Sequence, residues 1–347
     1  MMHLFLEAQD VWLFRDGRPF DAGSAHRAES LFPPYPFTIQ GALRSHQLVL
    51  KKVRLDDRPK IRETVGEPLA FPGTSNLGGL ILSGTFLAWK TSNGNVERLF
   101  PLPADVYWKK DGDLKSARLE NGLLLPGDDA GKPGAARWLT QNELMACLAG
   151  KAVQGTAQKD LFQRENRFGI GRNTAWVTEQ GLLYEAGFIR PMENVGLLVE
   201  ASGYTANEWQ DGVLQLGGES RAARYSQVKP ADWPVLPKPL PRRFKVYLAT
   251  PAYFAAGSAP ASWQAFFDGD VKLLACAVRG YETMGGFDWA KNPESHEAHR
   301  TSYRFVPAGS VYYFENVSNA TLKTEFLTEA GAELGFGRLI VSPIQED

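Results

Sequence analysis

Residues 331–343 read GAELGFGRLIVSP, three closely spaced glycines and an arginine running into an apolar triplet. Glycine-rich loops let backbone N–H groups approach an anion with no side chain in the way. The nucleotide-binding versions need a helix after the loop, so that its positive end faces the phosphates. Here Leu339, Ile340 and Val341 read as a short strand, and Pro343 breaks the segment after it. No helix is expected, and a mononucleotide or dinucleotide pocket at this loop is set aside. Whatever it cradles must be met by backbone, by Arg338 and by other parts of the chain.

Further back, FGIGRN places Gly169, Gly171 and Arg172 in the same G-x-G-R order as Gly335, Gly337 and Arg338. So short an echo is open to chance, but it points toward a tandem repeat. The length of 347 residues allows two domains, at roughly 100–200 residues each. The pattern before the echo reads strand, helix, strand, strand, helix, strand. Residues 3–14 form an apolar strand closed by the Asp16-Gly17 turn, and proline-broken LFPPYPF leads into a helix. In that helix Ile39, Leu43, His46, Leu50 and Val53 recur at helical spacing, and Lys51, Lys52 and Arg54 fall in its last turn. β-like pieces come next, then a polar interval near 111–135 and a short helix at 140–149. This is the ferredoxin-like βαββαβ plan. After GLLYEAGFIRP and VGLLVEA, the run PVLPKPLP forbids helix or central strand and predicts an extended connector. Beyond it come a strand at FKVYLATPAYF, a helix near 271–279, a strand at VPAGSVYYFE and the terminal loop. The fold expected is α+β, two tandem ferredoxin-like domains packed together with insertions, divided as 1–178 and 179–347.

Composition narrows the function. Hydrophobic content of 44% with 22% charged residues is that of a globular protein with a sizeable core. Net charge is -1, so nucleic-acid binding, if present, is local or shared with partners. Cys147 and Cys276, both in apolar segments that look helical, are expected as buried free thiols in a reducing cytoplasm. MMHLFLEAQDVWLF lacks a basic n-region, and no apolar run reaches the ~20 residues of a membrane span.

Catalytic chemistry is not announced. His296 and His299 are three apart, but NPESHEAHR reads as a surface loop without cysteines to complete a zinc site. There is no G-x-S-x-G elbow. The pairs Asp56-Asp57 and Asp128-Asp129 read as exposed turns, and His46 as a satisfied core histidine. His26, beside Arg27, is open to three readings: general base on a ribose hydroxyl, RNA contact, or surface residue. Arginines beside glycines and aromatics say more. Arg15 and Arg18 flank a turn; Arg164, Arg167 and Arg172 punctuate QRENRFGIGRN; Arg221 and Arg224 follow the glycine pair of LGGESRAARYS. Guanidinium forks suit phosphate and aromatic rings stack on unpaired bases, so these clusters point to single-stranded RNA.

The order FRDGRPF, FTIQGALRS, ENRFGIGR, TEQGLLYEAGFIR, LGGESR and GFGRLIVSP resembles the RAMP superfamily of CRISPR proteins along nearly the whole chain. Within it, the chain is most similar to the two-RAMP-domain subunit of type III-B (Cmr) effector complexes. The resemblance implies a non-catalytic, cytoplasmic, antiviral role without cofactor or metal. The subunit would grip the 5′ repeat-derived tag of the guide RNA and pair with the large polymerase-like subunit and backbone RAMP subunits. It carries Gly335, Gly337 and Arg338 onto the family's glycine-rich loop, against RNA or between the two domains. Residues around Arg167 to Arg172 fall on the stretch leading into a hairpin that contacts RNA and neighbouring subunits. The rival reading is a RAMP endoribonuclease that processes guide-RNA precursors, with His26 as its base; a purely structural scaffold is another.

Overall fold

Leu4, Phe5 and Leu6 are buried in succession, which places the first strand in the interior of a sheet rather than at its edge. The computed structural model describes residues 1–15, 27–73, 76–172, 178–287 and 299–344. Strands of four or more residues are, in the first half, β1 (Met2–Ala8), β2 (Ile81–Lys90), β3 (Val96–Pro101), β4 (Arg137–Thr140) and β5 (Phe162–Arg172). Then come β6 (Thr178–Pro191), β7 (Val195–Ser202), β8 (Gly212–Gln215), β9 (Ala222–Gln227) and β10 (Arg243–Leu248). The last are β11 (Val271–Ala277), β12 (Glu282–Phe287), β13 (His299–Phe305), β14 (Val311–Asn316) and β15 (Leu339–Pro343). The helices are α1 (Pro36–Leu50), α2 (Arg58–Val65) and α3 (Gln141–Leu148).

The fold is α+β, with mostly antiparallel sheets and few helices among the described residues. The first sheet runs Thr156–Ala157, β4, β3, β2, β7, β1, β9, β8. The second runs β11, β14, β10, β15. Both contain the same order. Counting β1, β2, β7 and β9 as first to fourth, and β10, β11, β14 and β15 likewise, each set lies 2-3-1-4 with every neighbour antiparallel. Each set also carries a hairpin between its second and third strands, β5–β6 in the first and β12–β13 in the second. The expected division at 178/179 falls inside the β5–β6 hairpin, just after the first residue of β6, and β7, β8 and β9 beyond it lie in the first sheet.

This order relocates the echo noticed in the sequence. Gly169 and Gly171 lie in hairpin strand β5, whereas the counterpart of the terminal loop is LGGESR. Gly217 and Gly218 precede β9 as Gly335 and Gly337 precede β15, and Arg221 and Arg338 each stand immediately before their strand. Gly217 has φ +95°, and a Cβ there would meet the Leu13 carbonyl oxygen at 2.8 Å. The two glycine loops thus meet the same backbone demand.

α1 begins with Pro36 in its first turn, where proline loses no helical bond. Its Ile39 and Leu43 join Leu4, Leu6 and Leu214 in one core. The helix ends at Leu50, so Lys51, Lys52 and Arg54 lie beyond it, and Lys51 pairs instead with Glu208 at 2.6 Å. α3 is fixed by a capping box between Thr140 and Glu143. Two small hairpins occupy or enter the interval near 111–135: 106–108 with 114–116, and 118–120 with 123–125. Residues 228–238 form no helix or strand.

The helix expected near 271–279 is strand β11. VKLLACA is an apolar run without diagnostic periodicity, and pairing to β14 decides it. On this edge strand Cys276 is exposed, contrary to expectation, while Cys147 is buried in α3. A seam joins the sheets: Phe86 and Phe100 from the first, Cys147 of α3, and Tyr247, Tyr313 and Ile340 from the second share one cluster.

Candidate nucleic-acid interface

Alternation along β5 sorts its side chains. Arg164, Asn166, Phe168 and Ile170 are exposed, Phe168 by 72% and Ile170 by 52%. Glu165 and Arg167, on the other face, enter an ionic cluster. Arg167 donates from Nε to Glu165 at 2.7 Å and from Nη2 to Asp10 at 3.1 Å. Arg190 donates to Glu165 and, at 3.0 Å, to Asp10. Arg221 stands 3.6 Å from Asp10 and 3.7 Å from Glu219. The guanidinium groups of Arg167 and Arg221 lie 4.9 and 4.8 Å from the centre of the buried Phe188 ring. Arg167 foremost holds the Asp10 carboxyl below its usual range; Arg190 and then Arg167 do the same for Glu165.

Arg190 was missed by sequence reasoning. The available signal was its place in FIRP, two residues from Phe188 and hence on the same strand face. Arg190→Ala is expected to cost under about 1 kcal/mol at neutral pH, as exposed ion pairs do. The carboxylates' contribution is present above the ordinary carboxylate range and lost as pH falls through the lowered values. The urea midpoints of the two proteins should therefore converge on acidification and in high salt.

Strand-like residues 11–15 run beside the hairpin stem, where Trp12 bridges Ile189 and Arg15 bridges Ser30. Arg164 Nη1 donates to the Ser30 carbonyl at 2.9 Å, which brings it to the same place. Next to Arg15 lies a cavity of about 360 Å³. One wall is the face of α1 made by Thr38, Gly41, Ala42 and Ser45; the other is Gly217 and Gly218, whose N–H donates to the Leu13 carbonyl. A Cβ at Gly41 would meet nothing within 4 Å, so this wall is open to a ligand backbone.

The structure therefore gathers Arg15, Arg164, Arg167, Arg190 and Arg221 around the hairpin stem and this groove. Arg224 is exposed on β9, across from Glu7. Arg18 and His26 lie outside the described residues, as does His296. Arg27 and Arg172 are placed by backbone alone, Arg27 in a parallel pair with Glu185 and Arg172 opposite Thr178.

Gly335, Gly337 and Arg338 are elsewhere and buried. Leu82 N–H donates to the Glu333 carbonyl at 2.8 Å, tying the loop to β2. Thr250 Oγ1 donates to the Gly335 carbonyl at 2.7 Å and accepts from Arg338 N–H at 2.8 Å. Arg338 pairs with Glu325 at 2.6 Å and lies 4.7 Å from the Trp233 ring. Of the two places expected for this loop, against RNA or between the domains, the structure puts it between the sheets.

His46 is the core histidine expected. It bonds the Tyr225 hydroxyl at 2.9 Å, packs on Trp209, and has its pKa lowered by burial. Among the described residues no cluster of three His, Cys, Asp or Glu could hold a metal ion, and no helix is long and apolar enough to cross a membrane.

Comparison with known proteins gives a sequence-level and a fold-level result. The profile of a family described as CRISPR-associated protein (Cas_Cmr3) matches residues 4–343. No curated protein matches. Among solved structures, a chain of the type III-B Cmr-beta bound to cognate target RNA and AMPPnP superposes with a TM-score of 0.50 at 15% identity, covering 90% of this chain and 86% of that one. A chain of the same assembly bound to cognate target RNA gives 0.49 at 16% identity, with the same coverages of 90% and 86%. A chain of the Csm3-Csm4 subcomplex of the type III-A interference complex gives 0.40 at 12%, with 100% of each chain covered. At 15% identity the first of these speaks to the fold.

Proposed function

The chain belongs to the Cas_Cmr3 family of CRISPR-associated proteins, and from that premise we propose that it is a non-catalytic, RNA-binding subunit of a type III-B effector complex. In this reading it holds the 5′ repeat-derived tag of the guide RNA and docks the large polymerase-like subunit. The observation that carries the RNA reading is the β5–β6 hairpin. It presents Arg164, Phe168 and Ile170 to solvent on one face, beside a groove walled by small residues and a glycine loop. Phosphate suits the arginines, and unpaired bases suit an exposed ring.

The 2-3-1-4 order, found twice, supports two ferredoxin-like units. In the first, α1 follows the first strand, and a short 3-10 turn at Ala206–Glu208 and β8 stand where a second helix would be. In the second, loops and the 3-10 turn Trp263–Ala265 replace the helix after the first strand. A net charge of -1 suits a subunit that grips one end of an RNA within an assembly rather than a free RNA binder.

The test is ultraviolet crosslinking of the purified chain, alone and with the large subunit, to a labelled guide RNA carrying its 5′ tag. Crosslinks at the tag mapping to residues 162–172, with the RNA intact, are expected. Phe168→Ala should weaken binding about fivefold or more, the loss of one stacked base being worth roughly 1–3 kcal/mol. Specific cleavage of a repeat RNA by the chain alone would overturn the non-catalytic reading.

A further inference from the structure

Two adjoining cavities, of about 320 and 340 Å³, lie where the sheets meet. Each is within the roughly 300–1,000 Å³ of small-molecule sites. Pro101, Trp138, Glu282 and Ala308 line both, so they form one bent cleft. Its limbs differ in chemistry. The first is walled by flat apolar groups, among them Phe32, Pro33, Trp138 and Pro251. Thr85 also lines it, and the Thr85 Oγ1 is buried with no hydrogen-bond partner. The second limb carries Arg137 and Arg279. Arg137 Nη1 donates to the Gly155 carbonyl at 2.9 Å while its buried Nε has no partner. Arg279 Nη2 donates to the Pro103 carbonyl at 3.0 Å. A guanidinium has five N–H donors, so both retain capacity for an anion.

At the joint stands Glu282, whose backbone pairs with Phe305 and whose carboxyl has no hydrogen-bonding partner among the described residues. Burial without a countercharge pushes its carboxyl up to about 7. Glu282 is half-buried and its carboxyl lacks a countercharge, a state that a ligand with hydrogen-bond donors would relieve. An acyl chain would fill the apolar limb but leave Glu282 and both arginines unused. An acidic peptide would suit the arginines and be repelled by Glu282.

We infer that this cleft binds a single nucleotide, with the base in the apolar limb, Glu282 on the base edge and the phosphate between Arg137 and Arg279. Guanine fits best, because its N1–H and N2–H donors lie side by side and suit the two oxygens of one carboxylate. The nucleotide is either free or one residue turned out of a bound RNA strand. The second source rests on the RNA-binding reading; the first does not. The glycine loops take no part, in keeping with the missing helix after 331–337.

The experiment is equilibrium dialysis of the full chain against GMP, AMP, CMP and UMP, and against eight-nucleotide single-stranded RNAs with and without guanosine. Glu282→Gln and Arg279→Met are compared with the parent, and thermal melting checks that each variant folds. GMP should bind about tenfold tighter than CMP, as hydrogen bonds to a charged group allow. Glu282→Gln should erase that preference, and Arg279→Met should weaken all four nucleotides. Guanosine-containing RNA that binds in a Glu282-dependent way, with no free nucleotide bound, would identify the strand as the source. GMP binding without RNA binding would support the cleft and identify the free nucleotide as its ligand. RNA binding indifferent to both variants, with no nucleotide bound, would overturn the cleft and spare that reading.

Discussion

Gly337→Val should remove a large part of the stability of the fold. Gly337 has φ +73°, where a β-branched residue is strained, and its Cβ would lie 2.6 Å from the Leu327 carbonyl oxygen. Neither neighbour can yield cheaply. Gly337 N–H donates to the Pro251 carbonyl and Leu327 N–H donates back to the Gly337 carbonyl, so displacement breaks two buried backbone bonds. Backbone strain of about 1–3 kcal/mol and overpacking of similar size together come to about 2–6 kcal/mol. Native stability is only about 5–15 kcal/mol. A sharp drop in the urea midpoint, or failure to accumulate as folded protein, is expected. Gly41→Ala is the matched control. Its Cβ meets open space and alanine favours the helix, so the fold should gain up to about 1 kcal/mol. If RNA lies along the α1 groove, the same methyl weakens its binding. A Gly337→Val protein as stable as the parent but unable to bind RNA would show that the terminal loop serves RNA and not the seam.

That contrast reflects what could be read from the chain. The helix α1 was legible because Ile39, Leu43 and His46 recur at its period, although Val53 lies beyond its end; Ile39 and Leu43 are buried in the core and His46 is half-buried against Trp209. The 140–149 helix was legible from the apolar segment around Cys147, and the structure shows its start fixed by Thr140 and Glu143. The first sheet was not. Its third and fourth strands, β7 and β9, are separated from β2 by β3, β4, α3 and the β5–β6 hairpin, and hydrophobic pattern gives strands but not their partners. The G-x-G-R echo pointed to a repeat but matched the wrong segment, since Gly169 sits in a strand. The real counterpart, Gly217-Gly218 with Arg221, shares position before the last strand rather than letters. Clustering of Arg167 with Arg221 depended on Asp10 and Phe188, distant in sequence, and no spacing rule connects them. The cleft at Glu282 was equally hidden, because its walls come from both sheets.

What holds those walls in register is a buried ion pair, and Asp105→Ala should be the second most damaging change. Asp105 is fully buried, accepts a hydrogen bond from the Tyr313 hydroxyl at 2.5 Å and lies 3.2 Å from the Lys245 ammonium, itself 5% exposed. Asp105 belongs to the segment after β3, while Lys245 and Tyr313 sit on β10 and β14, so the contact joins the two sheets. Pro103, two residues earlier, anchors Arg279 of the cleft. Removing the carboxylate leaves an ammonium buried without a countercharge, a loss of about 3–5 kcal/mol. Lys245→Met should be comparably harmful, since it strands the carboxylate. The double variant Asp105→Ala/Lys245→Met should recover much of the loss, because an apolar pair carries no desolvation penalty. Urea denaturation of the four proteins closes the cycle. Strong recovery would mean that the pair acts as a matched set whose value lies in fixing how the sheets meet, and nucleotide binding in the double variant would then report how far the cleft depends on that register. A double variant no better than the worse single one would mean that Asp105 acts through Tyr313 and the backbone instead.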